Sequence, residues 1–364
     1  MIKEFFKDKI KKLKEQNLHR TPKSKKDKLI SFCSNDYLGL AQNKKVKKAA
    51  IEATKKYGFG STASRYIFTN HNLHETLEKT LSDLKNTDDT IIFGSGYLAG
   101  TSAIAALIDK GDLILADKLI HSSLIDGAKL SGAKMLRFKH NDVNHAKEIL
   151  EKQRKDFKKC LIITETVFSM DGDLGKIDEL LELALKHNCL LLSDDAHGIG
   201  IVKNKYPQKY KEIHLQLGTL SKGVGGYGGY VCSSKNLIDY LRNFARSSIY
   251  STALPPSILA GNIESLKIIK EDKKLGKKAL ENANYFCQLL NLEATKSCIV
   301  PIIIGDVNKT LKISQEIEKA GFLISAIRPP TVEKNKSRLR ITFNSNNKKS
   351  DIKKLSYLLT KLNN

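Results

Sequence analysis

No apolar run in this chain approaches the ~18 residues that a membrane-spanning helix requires. Mean hydropathy is −0.32. The sequence therefore reads as a soluble protein with no membrane partner. It also has no C-x-x-C pair among its six cysteines, at 33, 160, 189, 232, 287 and 298, so no metal ligand set or redox motif is expected from them. Cys160, Cys189, Cys232 and Cys298 stand in or beside apolar runs and read as buried small hydrophobes. The N-terminus, MIKEFFKDKIKKLKEQ, carries acidic residues and lacks the apolar stretch of a signal peptide. It is also unlike a transit peptide, which is rich in Arg and Ser and poor in acids. The expectation is a cytoplasmic protein. There is no internal repeat, no low-complexity segment, and no RRM-like or zinc-finger motif.

Acidic residues are short relative to basic ones, 39 against 62, for a net charge of +23. Such a field can serve nucleic acid, an anionic surface, or acidic small molecules and partners. The excess is mostly lysine spread along the whole chain (KKDK, KKVKK, KKLGKK, KNK, KKSDIKK). That spread reads as lysine bias, so no nucleic-acid partner is expected.

What is present is globular. With 364 residues, at ~150 per domain, about two domains are expected. A hydrophobic content of 41% is enough for a core and excludes a disordered chain. Ile2, Phe5, Phe6, Ile10 and Leu13 fall on one helical face. They predict an amphipathic helix over 2–15 that lies on the rest of the protein. A helix over 44–57 is broken by GFGS, and Leu73, Leu77, Leu81 and Leu84 recur at helical spacing. From residue 90 strands and helices alternate: TIIF, LILAD, KMLRF, CLIITET, CLLLSDD, HLQLGTLS and YVCSS, with helices near 97–108, 122–131, 142–153 and 177–187. Short apolar runs without polar alternation suggest strands covered on both faces, as in a parallel sheet. After Pro255-Pro256 a long helix should run to about 292. Strands CIVPIII, FLISAI and RLRITF follow, with helices near 308–320 and 350–362. The expected domains are an N-terminal helix and extended segment (1–43), a large α/β domain (44–255), and a long helix with a small α+β domain (256–364).

Lys222, in GTLSKGVGGYGGYVC, sits after a strand among glycines. An amine there could form a Schiff base with a carbonyl cofactor. In so lysine-rich a chain it would read as a solvated side chain, were it not for its context. Upstream, the strand CLLLSDDAHG ends in two carboxylates and a histidine, and ligands bind at strand carboxyl ends in open α/β sheets. Asp194 is the first charged group after that run. A buried aspartate is costly unless paired, and a protonated pyridine nitrogen would pair it. His197 could stack on or hydrogen-bond to a flat ring. Alone, D-D-A-H could equally be a metal site or a satisfied histidine. GVGGYG matches G-x-G-x-x-G in form, but a strand follows it where a dinucleotide site needs a helix. Gly94-Ser95-Gly96-Tyr97, between strand and helix, could turn backbone N–H groups toward a phosphate.

A strand-end Asp-x-x-His, a lysine in T-x-S-K-G and a strand–GSGY–helix turn resemble the fold-type I pyridoxal-phosphate (PLP) enzymes, and more narrowly the α-oxoamine synthases. The matching segments are SNDYLGL (34–40), GFGSTASR (58–65), HETLEKTLSDL (74–84), FGSGYLAG (93–100), ADKLIHSSL (116–124), HND (140–142), TETVFSMDGD (164–173), DDAHGIG (194–200), GTLSKG (218–223), IYSTALPP (249–256) and IRPPTV (327–332) with RLRIT (338–342). They run in order across nearly the whole chain. The resemblance implies a large, mostly parallel-sheet domain, a smaller C-terminal α+β domain, PLP as cofactor and a homodimer with shared active sites. HND, FAR-x-x-IYST and AIRPPTV are most similar to the biotin-pathway branch, although Glu333 stands where that branch has Pro.

The roles implied by resemblance are these. Lys222 holds the cofactor and acts as acid and base. Asp194 pairs with the pyridinium nitrogen, His197 contacts the ring hydroxyl and His121 stacks on the ring. Gly96, Tyr97 and Thr219 hold the phosphate, Thr252 reaches it from a second subunit, and Ser169 lies near the cofactor. Asn35 and Arg340 bind the amino-acid carboxylate. Thr331 and Arg20 contact the acyl substrate; His19 is the alternative to Arg20. Either His121 or His197 polarises the thioester carbonyl. The implied reaction is a decarboxylative condensation of L-alanine with pimeloyl-CoA or pimeloyl-acyl carrier protein, and the positive charge could steer an acidic carrier. Alternatives are glycine C-acetyltransferase or another α-oxoamine synthase and, remotely, a basic nucleic-acid-binding protein on a degenerate fold.

Overall fold

The computed structural model describes residues 2–22, 29–202 and 206–363. Helix α1 (Ile2–Glu15) forms where the spacing predicts it. Its apolar stripe is not buried, however: Phe5 is 53% and Phe6 60% exposed, so the expected packing of this helix on the rest of the chain is corrected. Strand β1 (Ile30–Ser31) follows. Helix α2 (Lys44–Tyr57) starts where the Asn43 side chain accepts from the N–H groups of Lys45 and Val46, and stops at Gly58, with φ +86°. A π-helical turn, Arg65–Thr69, which the sequence did not signal, precedes α3 (Asn72–Lys85).

The alternating region then reads β2 (Asp89–Phe93), α4 (Gly96–Leu107), β3 (Leu113–Asp117), α5 (Ser122–Ser131), β4 (Lys134–Phe138), α6 (Val143–Gln153), β5 (Cys160–Glu165), α7 (Ile177–Lys186), β6 (Leu190–Asp194), β7 (His214–Thr219) and β8 (Gly229–Ser233). Helices α8 (Lys235–Phe244), α9 (Arg246–Ile249), α10 (Pro256–Glu271) and α11 (Lys274–Leu289) follow. The one long helix expected after Pro256 is thus two. Asp272 leaves the helical region, and its carboxylate accepts from the Lys274 N–H at 2.9 Å, which starts the second helix. The chain ends with β9 (Ile299–Gly305), α12 (Val307–Lys319), β10 (Phe322–Leu323), β11 (Ser325–Ile327), β12 (Ser337–Thr342) and α13 (Lys349–Asn363).

Contacts divide the chain into a larger unit, Asn35–Ser169 with Asp173–Lys278, and a smaller one, Met1–Ser34 with Met170–Gly172 and Ala279–Asn364. The larger unit is built on a seven-stranded sheet in the order β2-β8-β7-β6-β5-β3-β4. Strands β7, β6, β5, β3 and β4 are mutually parallel, and β8 runs antiparallel to both β7 and β2. Alternate residues feed two cores. Ile114, Leu161, Ile163 and Leu192 join one, while Leu113, Leu115, Ile162 and Leu191 join the other. Both faces are covered, which is why these strands lack polar alternation. Each fully buried Leu or Ile contributes roughly 1.5–3 kcal/mol.

In the smaller unit β12 lies between β11 and β9, antiparallel to both. Phe32, Phe286 and Phe343 are fully buried there. The run FLISAI serves two sheets, since β10 pairs with β1 and β11 with β12. Among the described residues no helix is long and apolar enough to cross a membrane, and no cluster of three or more His, Cys, Asp or Glu could hold a metal ion. Cys160, Cys189, Cys232 and Cys298 are free and buried, as their apolar surroundings predict.

Candidate active site

In the larger unit β3, β5, β6 and β7 end in Asp117, Glu165, Asp194 and Thr219. Beyond these carboxyl ends lies a cavity of about 240 Å³. Gly96, Tyr97, His121, Ser169, Asp194, His197, Thr219 and Lys222 all line it. One side is the N-terminus of α4, where Ser95 Oγ accepts from the Leu98 N–H at 3.2 Å. A Cβ on Gly96 would stand 2.9 Å from Thr219 Cβ, so only glycine lets helix and strand end approach this closely. Helix-terminal N–H groups opening on a cavity suit an anion. The phenol of Tyr97, at the exposed rim, donates to Asp126. As the sequence argued for GVGGYG, the segment leads into a strand, β8.

The two adjacent aspartates have separate fates. Asp195 is buried and paired with the buried Lys85 at 2.7 Å. Asp194 is also buried; its Oδ1 accepts from the Ala196 N–H at 2.9 Å. Desolvation pushes its carboxyl up to about 6, against the pull of the Lys222 charge. Beside it in register lies Glu165, which sequence reasoning did not single out. Desolvation, and then the Asp194 charge, raise the Glu165 carboxyl well above its ordinary value. Burial thus disfavours charge on both carboxyls, and the Lys222 charge opposes that on each. Glu165 Oε1 accepts from the His121 N–H at 2.5 Å.

Lys222 Nζ lies 2.8 Å from His197 Nε2, and His197 Nδ1 lies 2.6 Å from the Tyr37 hydroxyl. That hydroxyl donates to Asn35 Oδ1 at 3.0 Å. His121 caps α5, its Nδ1 accepting from the Ser123 N–H at 3.2 Å. Desolvation, and then Lys222, lower the His121 imidazole below its ordinary value, so it is neutral near pH 7.

The remaining candidates lie elsewhere. In the smaller unit Arg20 Nη2 donates to Thr331 Oγ1 at 2.8 Å, which brings together the two residues assigned to the acyl chain. His19 Nδ1 pairs with Thr21 Oγ1 at 3.3 Å, and its carbonyl accepts from Arg328. Arg340 is buried on β12. Thr252 does not line the Lys222 cavity; it lines a separate pocket with Arg65, Ser248 and Ser251.

The HND segment forms a clamp. His140 Nδ1 meets Asp117 at 3.0 Å and Nε2 meets Asp173 at 2.8 Å. The Asn141 N–H and side-chain amide donate to the same two carboxylates. The clamp thereby ties the turn that leads to His121 to the end of the loop that contains Ser169. Desolvation pulls the His140 imidazole down, but the two carboxylates outweigh it and carry it up to about 10. A folded-state value above the ordinary ~6.5 means that stability is fully present below ~6.5 and is lost as pH rises through about 10. His140→Gln should therefore melt lower than wild type at neutral pH, with the gap closing toward pH 10. Thermal unfolding of both proteins across that range checks this; a gap that does not change with pH would contradict it.

The sequence matches the family described as Aminotransferase class I and II over residues 27–356. It is 44% identical over 336 residues to the 8-amino-7-oxononanoate synthase of Maricaulis maris, covering 91% of this chain and 86% of that protein. The solved 8-amino-7-oxononanoate synthase of Francisella tularensis superposes with a TM-score of 0.77 at 29% identity, covering 92% of this chain and 98% of that one. A structure of SPT with PLP superposes with a TM-score of 0.87 at 25% identity, covering 98% and 96%. The chain therefore belongs to the aminotransferase class I and II family and, within it, to the 8-amino-7-oxononanoate synthase family.

Proposed function

We propose that the chain is a PLP-dependent acyltransferase of biotin biosynthesis. It condenses L-alanine with a pimeloyl thioester, releasing CO2 and the free thiol and giving 8-amino-7-oxononanoate. Family membership and the cavity chemistry support this reading. The observation that carries it is the meeting of a strand-end lysine with a buried aspartate across one cavity of about 240 Å³.

The residues fit PLP. Asp194 is a desolvated carboxylate whose charge calls for a buried cation, which a pyridinium N–H supplies. The α4 N-terminus, held against Thr219 by Gly96, suits a phosphate. Lys222 offers the amine. PLP, when bound, serves as an electron sink that stabilises negative charge at the α-carbon of alanine. Asp194 keeps the ring nitrogen protonated. Lys222 Nζ takes the α-proton and returns a proton after CO2 leaves.

The working unit is a homodimer in the cytoplasm, with Thr252 completing the phosphate site of its partner. Large apolar side chains left in water support this: Phe59 is 87%, Ile67 76% and Phe68 76% exposed. Ile67 and Phe68 follow Arg65 on the π-helical turn, and Arg65 lines the pocket of Thr252. The donor rides on CoA or an acyl carrier protein. The charge of +23 favours the acidic carrier, and its kcat/KM should fall steeply with added salt; a flat response would return the charge to lysine bias.

The acyl end supplies the test. A site built to pair a charge rejects an uncharged analogue strongly, whereas an apolar tunnel separates chains by only ~1–3 kcal/mol per methylene. Arg20, beside Thr331, is the cation for the far carboxylate. Pimeloyl thioester should be preferred over heptanoyl thioester by well over tenfold, and Arg20→Ala should erase much of that preference while leaving alanine binding intact. Equal use of both donors by the wild type would remove the biotin assignment.

A further inference from the structure

The geometry points to Tyr37 as a positioning residue that fixes the tautomer of His197, so that the two cavity histidines are held as one acceptor and one donor. What each nitrogen does in turnover rests on the reaction proposed above; the tautomers themselves do not.

One chain of contacts fixes where each hydrogen sits. In the chain freed of PLP, before it takes part in any reaction, Lys222 as an ammonium has hydrogens to give and no lone pair. At 2.8 Å from it, His197 Nε2 must therefore accept. The hydrogen of a neutral imidazole then sits on Nδ1. From there it points at the Tyr37 oxygen, 2.6 Å away. The phenol has one hydrogen of its own, and this goes to Asn35 Oδ1 at 3.0 Å. These three contacts run in the single direction Lys222 to His197 to Tyr37 to Asn35. Tyr37 is 1% and His197 6% exposed, so water has little access with which to reverse the order.

His121 is held the other way. Its Nδ1 accepts from the Ser123 N–H as the cap of α5, where a backbone amide can only donate, and the Ser123 hydroxyl, 2.8 Å from the same nitrogen, is free to rotate and donate there too. Its hydrogen is therefore on Nε2. Two histidines lining one cavity thus present opposite groups. His197 offers Lys222 a bare nitrogen. His121 carries an N–H, the group needed to hydrogen-bond a thioester carbonyl oxygen as charge builds on it. This assigns carbonyl polarisation to His121, the choice that the sequence left open.

The test uses the full chain freed of PLP and labelled with 15N-histidine. Two-bond 1H–15N spectra separate protonated from bare ring nitrogens, and His197→Gln and His121→Gln assign the signals. In the wild type His197 should be protonated on Nδ1 and His121 on Nε2. Tyr37→Phe keeps the ring and removes only the acceptor for the Nδ1 hydrogen. It should shift His197 toward the Nε2–H form and leave His121 unchanged. With this acceptor lost, Lys222 should also lose its proton more readily, so the pH midpoint for labelling this amine falls by on the order of one unit. A wild-type His197 protonated on Nε2, or a His197 pattern and labelling midpoint unmoved by Tyr37→Phe, would overturn the assignment. If the variant does not fold, the wild-type spectrum alone decides. No substrate enters the experiment, so its failure is distinct from failure of the proposed reaction, which product analysis tests.

Discussion

Lys222→Ala is expected to abolish turnover, and borohydride should no longer fix PLP to the chain. Lys222 lines the cavity and faces His197 at 2.8 Å. Other lysines do not replace it: the buried Lys85 is committed to Asp195, and among the described residues no other lysine lines this cavity. In the proposed reaction Lys222 moves the α-proton, so its removal should eliminate both proton transfers, and general acid–base steps alone are worth ~10²–10⁴-fold. PLP should still bind through its phosphate, because the α4 N-terminus and Thr219, the proposed phosphate site, are untouched. The experiment is activity alongside mass analysis of the borohydride-treated protein. A variant that still acquires the reduced adduct would show that another lysine holds the cofactor.

Asp194→Asn is expected to keep the fold and cost at least ~10²–10³ in rate, the usual loss for one preorganised electrostatic partner. The amide keeps the shape and can still accept from the Ala196 N–H. It lacks the charge proposed to hold the ring nitrogen protonated. Glu165, next to it in register, substitutes only in part, because desolvation and, in the wild type, the Asp194 charge drive it toward the neutral form. Removing the Asp194 charge relieves part of that pressure, so Asp194→Asn with Glu165→Gln should be slower still. Steady-state rates with saturating PLP check both variants. A single variant within about threefold of wild type would mean that Asp194 is structural; that margin is small against the losses usual for such partners.

The strands that place Asp194 and Lys222 were legible because short apolar runs without alternation admit few readings. GSGY was legible as a turn between strand and helix, and the bound in Gly96 is steric. Other features depend on partners that local sequence does not name. Asp194 and Asp195 are neighbours in a chain that says nothing of Lys85, which makes them different. Tyr37 stood in a family-like segment, but its contact with His197 spans 160 residues. Glu165 gains its character from the strand beside it, and strand order is not written in one strand. The α1 stripe predicts a helix correctly without saying what covers it. The break at Asp272 was available in principle, since Asp two residues before Lys274 is a helix-start signal inside a long helical pattern.

The central claim is tested most directly by product mass spectrometry. The PLP-loaded full chain is given L-alanine or glycine against pimeloyl, heptanoyl and acetyl thioesters. The account predicts 8-amino-7-oxononanoate from alanine and the pimeloyl donor as the dominant product, with equimolar CO2 and free thiol. Dominant turnover of glycine with the acetyl donor, or no condensation with any pair, would contradict it.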